Sequence, residues 1–323
     1  MVSDSVIHSM AGAVGGMAAM TVTYPLVFLS TRAAVEIRKE RKSTYQAVLD
    51  VVKSEGLGGL YSGLESSLIA ITVTNGVYYY FYERSRGIIL GTRAGSKALS
   101  TPESILIGLI AGSATSLISN PIWVVQTAQT VRTMSLAPSD SQPEPGSSST
   151  PPEPRPVVKK LGFLETLLTI LRKGGPAELW RGIGPALVLV INPVIQYTVF
   201  EQLKNILVKG RTAKLRAGGN KSAVAVLTDI DYFLLGALSK LFATGTTYPY
   251  IVIKSRLQAG SADAQRYKSA LDGLLTVVRE EGIGGLYKGI GSKLTQSVLT
   301  AAILFACQRR IYETIKKVAT TVA

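Results

Sequence analysis

The stretch Glu55-Gly56-Leu57-Gly58-Gly59-Leu60-Tyr61-Ser62-Gly63 returns with two changes as Glu281-Gly282-Ile283-Gly284-Gly285-Leu286-Tyr287-Lys288-Gly289. A looser copy, Gly174-Gly175-Pro176-Ala177-Glu178-Leu179-Trp180-Arg181-Gly182, lies between them. Repetition on this scale means that one supersecondary unit has been copied. Ahead of each copy stands a proline near the end of a long apolar run, at Tyr24-Pro25, Asn120-Pro121 and Tyr248-Pro249, and after each copy another apolar run begins. Each unit therefore supplies two runs. The six fall near 6–32, 65–86, 104–128, 184–204, 230–256 and 291–316, each close to the roughly 20 residues that a helix needs to cross the hydrocarbon core.

Composition agrees with a membrane-spanning chain. Of 323 residues, 46% are hydrophobic and 17% charged, too apolar for an ordinary soluble domain. The predicted fold is an all-α membrane protein of six transmembrane helices in three pseudo-threefold repeats, with units at 1–100, 101–220 and 221–323. Between the two runs of a unit lie amphipathic stretches such as Tyr45 to Lys53, whose apolar residues recur at helical spacing. These suit short helices on the membrane surface.

Glu55 follows Pro25 by 30 residues and Glu281 follows Pro249 by 32, whereas Gly174 follows Pro121 by 53. The second unit thus carries an insertion, Ser135 to Val158, rich in Pro and Ser and too poor in apolar residues to fold alone. It reads as a solvated linker; Pro151-Pro152-Glu153-Pro154 within it also fits a polyproline ligand.

The net charge of +14 suits an anionic substrate, anionic lipid head groups, or both. Nucleic acid is not an expected partner, because the basic residues flank apolar spans and form no single soluble face. With one cysteine, Cys307, and one histidine, His8, no disulfide, metal centre or cofactor is expected. The N-terminus has neither a charged region before a small-residue cleavage site nor an Arg-rich presequence, so no removable targeting peptide is expected. No acid, base and nucleophile come together in the pattern, and an enzyme is not expected. The glycines near Gly56 lack a following Gly-Lys-[Ser/Thr] and are turn residues, not a phosphate loop.

Three ordered copies of apolar run, proline, surface helix, glycine-closed turn and second run resemble the mitochondrial carrier family over almost the whole chain. The resemblance implies helices kinked at Pro25, Pro121 and Pro249, and two gates. The family's first motif, Pro-x-[Asp/Glu]-x-x-[Lys/Arg], closes the proline end with ion pairs. Here its acidic positions hold Val27, Trp123 and Ile251, and its basic positions Ser30, Gln126 and Lys254. Not one complete pair remains, so apolar packing and hydrogen bonds should hold that gate. The second motif, [Phe/Tyr]-[Asp/Glu]-x-x-[Lys/Arg], closes the other end. It is intact at Glu83 with Arg86 and at Glu201 with Lys204, and register points to Gln308 or Arg309 in the third unit. The family's pairing between units implies that Glu83 meets Lys204.

Lys240 lies among Leu234, Leu235, Leu238, Leu241 and Phe242, where a charge costs about 2.5–3.5 kcal/mol even on the lenient insertion scale. It should face protein or water. Ile251 is 11 residues on, about 20° past three full turns, and so shares that face. Lys293, Asn75 with Tyr79, and Asn192 with Gln196 complete the candidate substrate residues. Amides and tyrosines can read and stack on a base, though helix–helix hydrogen bonding explains each pair equally well.

The strings Tyr24-Pro25-Leu26-Val27, Thr74-Asn75-Gly76-Val77-Tyr78-Tyr79-Tyr80-Phe81-Tyr82-Glu83 and Ile191-Asn192-Pro193-Val194-Ile195-Gln196, with Trp123 after Asn120-Pro121-Ile122, resemble the fungal peroxisomal adenine nucleotide carriers. That implies a multi-pass peroxisomal membrane antiporter taking ATP inward against AMP, with ATP, ADP and AMP as partners, in support of fatty-acid activation and β-oxidation. The alternatives are a carrier of the same fold for NAD, FAD, coenzyme A or folate, in a peroxisome or mitochondrion, and a non-transporting membrane scaffold. A monomer is the expected assembly. Both termini would lie in the cytosol by the resemblance, whereas charge alone leaves orientation open, with basic residues at Arg38 to Lys42 and again at Lys209 to Lys221.

Overall fold

A computed structural model describes residues 4–35, 44–91, 99–132, 162–217, 225–260, 267 and 269–303. Among these residues there are helices and turns and no strand. The first unit contributes α1 (Asp4–Val35), the short α2 (Thr44–Glu55) and α3 (Leu64–Gly91). The second contributes α4 (Thr101–Arg132), α5 (Phe163–Gly174), α6 (Ile183–Val188) and α7 (Asn192–Ala217). The third contributes α8 (Asp229–Ala259), α9 (Ala270–Glu281) and α10, described over 290–303. Segments Gly15–Val35, Thr101–Val131 and Pro176–Ala217 are long and apolar enough to cross a membrane by length and composition. The long helices α3 and α8 carry more polar residues, tyrosines in the first and Lys240 and Lys254 in the second.

Pro25, Pro121 and Pro249 each lie inside a helix that continues past them. The residue just before each proline staples its own unit together. Tyr24 Oη donates to the Ser62 carbonyl at 2.9 Å, Asn120 Nδ2 to the Arg181 carbonyl at 3.0 Å, and Tyr248 Oη to the Lys288 carbonyl at 2.9 Å. Each acceptor belongs to the residue before the closing glycine. Tyr24 also stacks on Tyr61, and Tyr248 on Tyr287.

The nine-residue turn behaves alike in all units. A glycine with φ of 73°, 76° or 73° (Gly56, Gly175, Gly282) ends the short helix, and a five-residue 3-10 turn follows it. A second glycine, Gly63, Gly182 or Gly289, with φ of 84°, 71° or 80°, starts the next long helix. Such left-handed backbone strains any side chain. The short helices pack beneath the long helix of their own unit: Val51 joins Tyr24, Phe28 and Leu60, Ile170 joins Val124, Val125 and Leu179, and Val277 joins Ile253 and Leu286.

Two elements depart from the sequence reading. The expected single helix at 184–204 is interrupted by a 3-10 turn at Leu189–Ile191. Pro193 has no N–H to give the Leu189 carbonyl, and its ring crowds that oxygen, so the turn tightens just ahead of it. The same helix runs on to Ala217, because Lys, Leu, Arg and Ala sustain a helix outside the apolar span as readily as within it. At its far end Arg211 clasps Asp231 in two bonds of 2.5 and 2.6 Å, and Asp231 completes a capping box with Thr228 at the start of α8.

Candidate substrate site

The three units close into a ring at the proline end. The closing glycine of each unit lies against the next unit's long helix, at the position of the eroded gate base. A methyl group built at Gly63 falls 3.6 Å from the Gln126 carbonyl, at Gly182 3.1 Å from the Lys254 carbonyl, and at Gly289 2.7 Å from the Ser30 carbonyl. α1, α4 and α8 pack on one another there. Polar bonds seal the α4–α8 seam: Gln258 Nε2 donates to Asn120 Oδ1 at 3.1 Å, and Thr127 Oγ1 to Gln258 Oε1 at 3.4 Å. Between α1 and α8, buried Arg256 donates from Nε to the Ala34 carbonyl at 3.0 Å, while its Nη atoms bind Glu281 on α9. Lys288 adds a contact to Glu281 Oε2 at 2.6 Å. Burial works against the Glu281 charge, but the hydrogen bonds from Arg256 and Lys288 outweigh it and hold its pKa below the usual carboxylate range.

Above this floor a cavity of about 690 Å³ opens between α7, α8 and α10. Asn192, Gln196, Lys240 and Lys293 line it together, and it reaches down to Ile251. Four of the six candidate substrate residues therefore share one space. Asn75 and Tyr79 do not line it; both are exposed on α3, which packs chiefly against α4. Asn192 also braces α7 against α8, its Nδ2 donating to Thr247 Oγ1 at 2.7 Å. Gln296 and Thr300 were not anticipated; both line the cavity, joined at 3.1 Å, and Thr300 meets Thr23 of α1 at 3.2 Å. Their signal was available, since polar residues four apart in an apolar run mark one helix face.

Lys240 and Lys293 both line the cavity, and Lys254 lies one turn beyond its lining residue Ile251 on α8. Among the described residues no carboxylate pairs with any of the three. Lys240 and Lys293 share the cavity wall with no acid among its lining residues, an arrangement that suits an anion. Amides beside them add donors and acceptors for a neutral ring.

The remaining gate residues divide by end. Ser30 Oγ donates back to the Val27 carbonyl at 2.9 Å, Gln126 Nε2 to Thr130 at 3.1 Å, and Lys254 Nζ lies 5.9 Å from the centre of the Trp123 ring. At the opposite end Glu83 pairs with Arg86 at 3.3 Å and Glu201 with Lys204 at 2.9 Å, each within its own helix. The expected bridge from Glu83 to Lys204 is therefore not formed here. Among the described elements, α3 and α7 share no extensive packing. Each acid consequently takes the base three residues along. Gln308, Arg309, Cys307 and the 135–158 insertion lie outside the described residues, and the side chain of His8 does too.

Comparison with known proteins bears on the same architecture. A peroxisomal nicotinamide adenine dinucleotide carrier of Arabidopsis thaliana is 37% identical over 96% of this chain and 96% of its own. Peroxisomal membrane protein PMP47B of Candida boidinii is 32% identical over 94% and 84%. Peroxisomal adenine nucleotide carrier 1 of Arabidopsis thaliana is 29% identical over 96% and 91%. Residues 3–93, 97–211 and 227–322 each match the family described as mitochondrial carrier protein. With three tandem matches laid over three stapled helix pairs, the chain belongs to the mitochondrial carrier family, whose members are transporters and not enzymes.

Proposed function

We propose that this carrier resides in the peroxisomal membrane and exchanges adenine-containing nucleotides across it by alternating access. The observation that carries the reading is the meeting of Lys240 and Lys293 with Asn192 and Gln196 in one cavity of about 690 Å³, a volume in the range of nucleotide-sized sites. Phosphates would lie against the lysines and the base against the amides. Neutralised lysines no longer repel one another, which favours closing the cavity around the anion. Closure at the wide end brings Glu83 toward Lys204, and the proline end then opens.

We take the exchange to be ATP inward against AMP; a triphosphate matches the cavity lysines better than a dinucleotide does. The 37% identity with the Arabidopsis peroxisomal NAD carrier, against 29% with an adenine nucleotide carrier, favours a second reading in which NAD is the cargo. Purified protein in liposomes loaded with AMP separates them. Saturable uptake of labelled ATP that greatly exceeds uptake of labelled NAD supports the first. Robust NAD or coenzyme A exchange without ATP uptake overturns it.

A further inference from the structure

α8 passes along the cavity with an ordered series of residues on one face. Tyr232, Gly236, Lys240 and Thr244 recur every four residues, 40° apart around the helix, and all four line the cavity. Tyr232 stands in the first turn of α8 and so at the rim, whereas Lys240 lies two turns deeper, about 12 Å along the axis. Between them come Gly236 and Ala237, and a methyl group built at Gly236 meets nothing within 4 Å. From the rim inward the wall thus offers an aromatic ring, an open notch and a cation.

Tyr232 is 48% exposed. Leu234, which begins the exposed apolar row continued by Leu238, sits 200° further round the helix, so the free surface of the tyrosine belongs to the cavity side. The ring is braced from behind. It stacks on Phe200 of α7, with centroids 6.4 Å apart and planes 22° from parallel, and the Lys204 ammonium lies 6.0 Å from the Phe200 centre. Its backbone is pinned as well: the Tyr232 N–H donates to the Thr228 carbonyl at 3.1 Å, and Asp231 beside it is clasped by Arg211. A ring fixed in this way is preorganised to stack a second flat ring. Gln196, one turn before Phe200 on α7, lines the same cavity and can hydrogen-bond the edge of a ring so placed.

We infer that Tyr232 is the base-stacking residue of the cavity: an aromatic base lies on its ring at the rim, the sugar crosses the notch at Gly236, and the phosphates reach Lys240 and Lys293. This rests on the nucleotide reading above and names the part of the site that tells a nucleotide from a bare polyphosphate. ATP, NAD and coenzyme A all join an adenine through ribose to phosphate, so the shelf serves any of them.

Equilibrium dialysis of the purified full chain against ATP and against inorganic tripolyphosphate tests the assignment, because only ATP carries a base and a sugar. The quantity read is the ratio of the two affinities. Tyr232→Ala should lower that ratio about tenfold, the loss expected for one stacked base, with tripolyphosphate affinity changed less than twofold. Tyr232→Phe, which keeps the ring, should restore the parent ratio. Gly236→Leu, built into open space, should lower it by filling the notch, and it decides alone should Tyr232→Ala fail to fold. Lys240→Gln should weaken both probes. A Tyr232→Ala variant that loses both probes in proportion, or neither, overturns the assignment, as does Tyr232→Phe as weak for ATP as Tyr232→Ala. Liposomes keep this inference apart from the cargo. NAD exchange without ATP exchange, with NAD bound about tenfold more weakly after Tyr232→Ala, would discard ATP as cargo and keep the shelf. ATP exchange with an unchanged KM in Tyr232→Ala would do the reverse.

Discussion

Gly289 and Gly56 both have positive φ, 80° and 73°, but different surroundings. A methyl group at Gly56 meets nothing within 4 Å, whereas at Gly289 it falls 2.7 Å from the Ser30 carbonyl and 3.0 Å from Ala33 Cβ. Gly56→Ala, at φ 73° and ψ 179°, should cost only backbone strain of about 1–3 kcal/mol, and Gly289→Ala should add ~1–3 kcal/mol of overpacking to its own backbone strain. Thermal melting of the two variants should separate them clearly. Lys240→Gln has the opposite signature. Losing a charge-assisted bond worth about 1.5–3 kcal/mol should slow exchange roughly tenfold or more. The melting temperature should hold or rise, because a costly charge leaves the span. Lys240 was legible as an anomaly, since a lysine inside an apolar run demands explanation, whereas Lys293, at the start of a helix, was ordinary by position. Asn75 and Tyr79 were not placed by the same logic: four-residue spacing shows that two side chains share a face, but not which face meets the cavity. The Trp123–Lys254 contact was invisible in the sequence, because its members stand on different helices and neither belongs to an intact motif.

At the level of elements, each short surface helix is tied to a long one, and in the third unit the tie is an ion pair. Arg256 and Glu281 have side chains only 1% and 6% exposed. Because the folded Glu281 pKa is depressed, the pair contributes fully above the unfolded value of about 4.3 and is lost as pH falls through the folded value. Melting temperature should therefore be level from about pH 8 to 5 and fall in more acid solution. In Glu281→Gln, that acid limb should flatten, and the plateau should drop by roughly 3–5 kcal/mol, since Arg256 is left buried without its counter-charge. The spans themselves were plain in the sequence, because lipid forces every backbone polar group into an internal bond and leaves an unbroken apolar run as its mark. The 3-10 turn at Leu189–Ile191 was not foreseen, although Pro193 dictates it. The staples from Tyr24, Asn120 and Tyr248 were likewise missed; the three pre-proline residues were seen to recur, but a hydrogen bond to a carbonyl in a distant turn leaves no local pattern.

Over the whole molecule, the three units pack on one another at the proline end, while at the far end α7 and α8 are joined through Arg211 and Asp231. The acids at the open end wait in local pairs, Glu83 with Arg86 and Glu201 with Lys204. Glu83→Lys and Lys204→Glu should each abolish most exchange, and the double variant should regain a substantial part of it in liposomes. Rescue is informative because the double variant still lacks both local pairs; only a contact between α3 and α7 in the other state is restored. The ring of contacts at the proline end has a further consequence. Gly63 touches the second unit, Gly182 the third and Gly289 the first, so the order is cyclic and nothing in the packing says which unit must be translated first. In a carrier fold of six helices, an even number of crossings brings the two ends of a chain to one face. A circular permutant that starts at residue 101 and rejoins 1–100 behind 323 through a flexible linker should rebuild the same ring, and its melting curve and exchange rate would show whether the gene's starting point is structurally arbitrary.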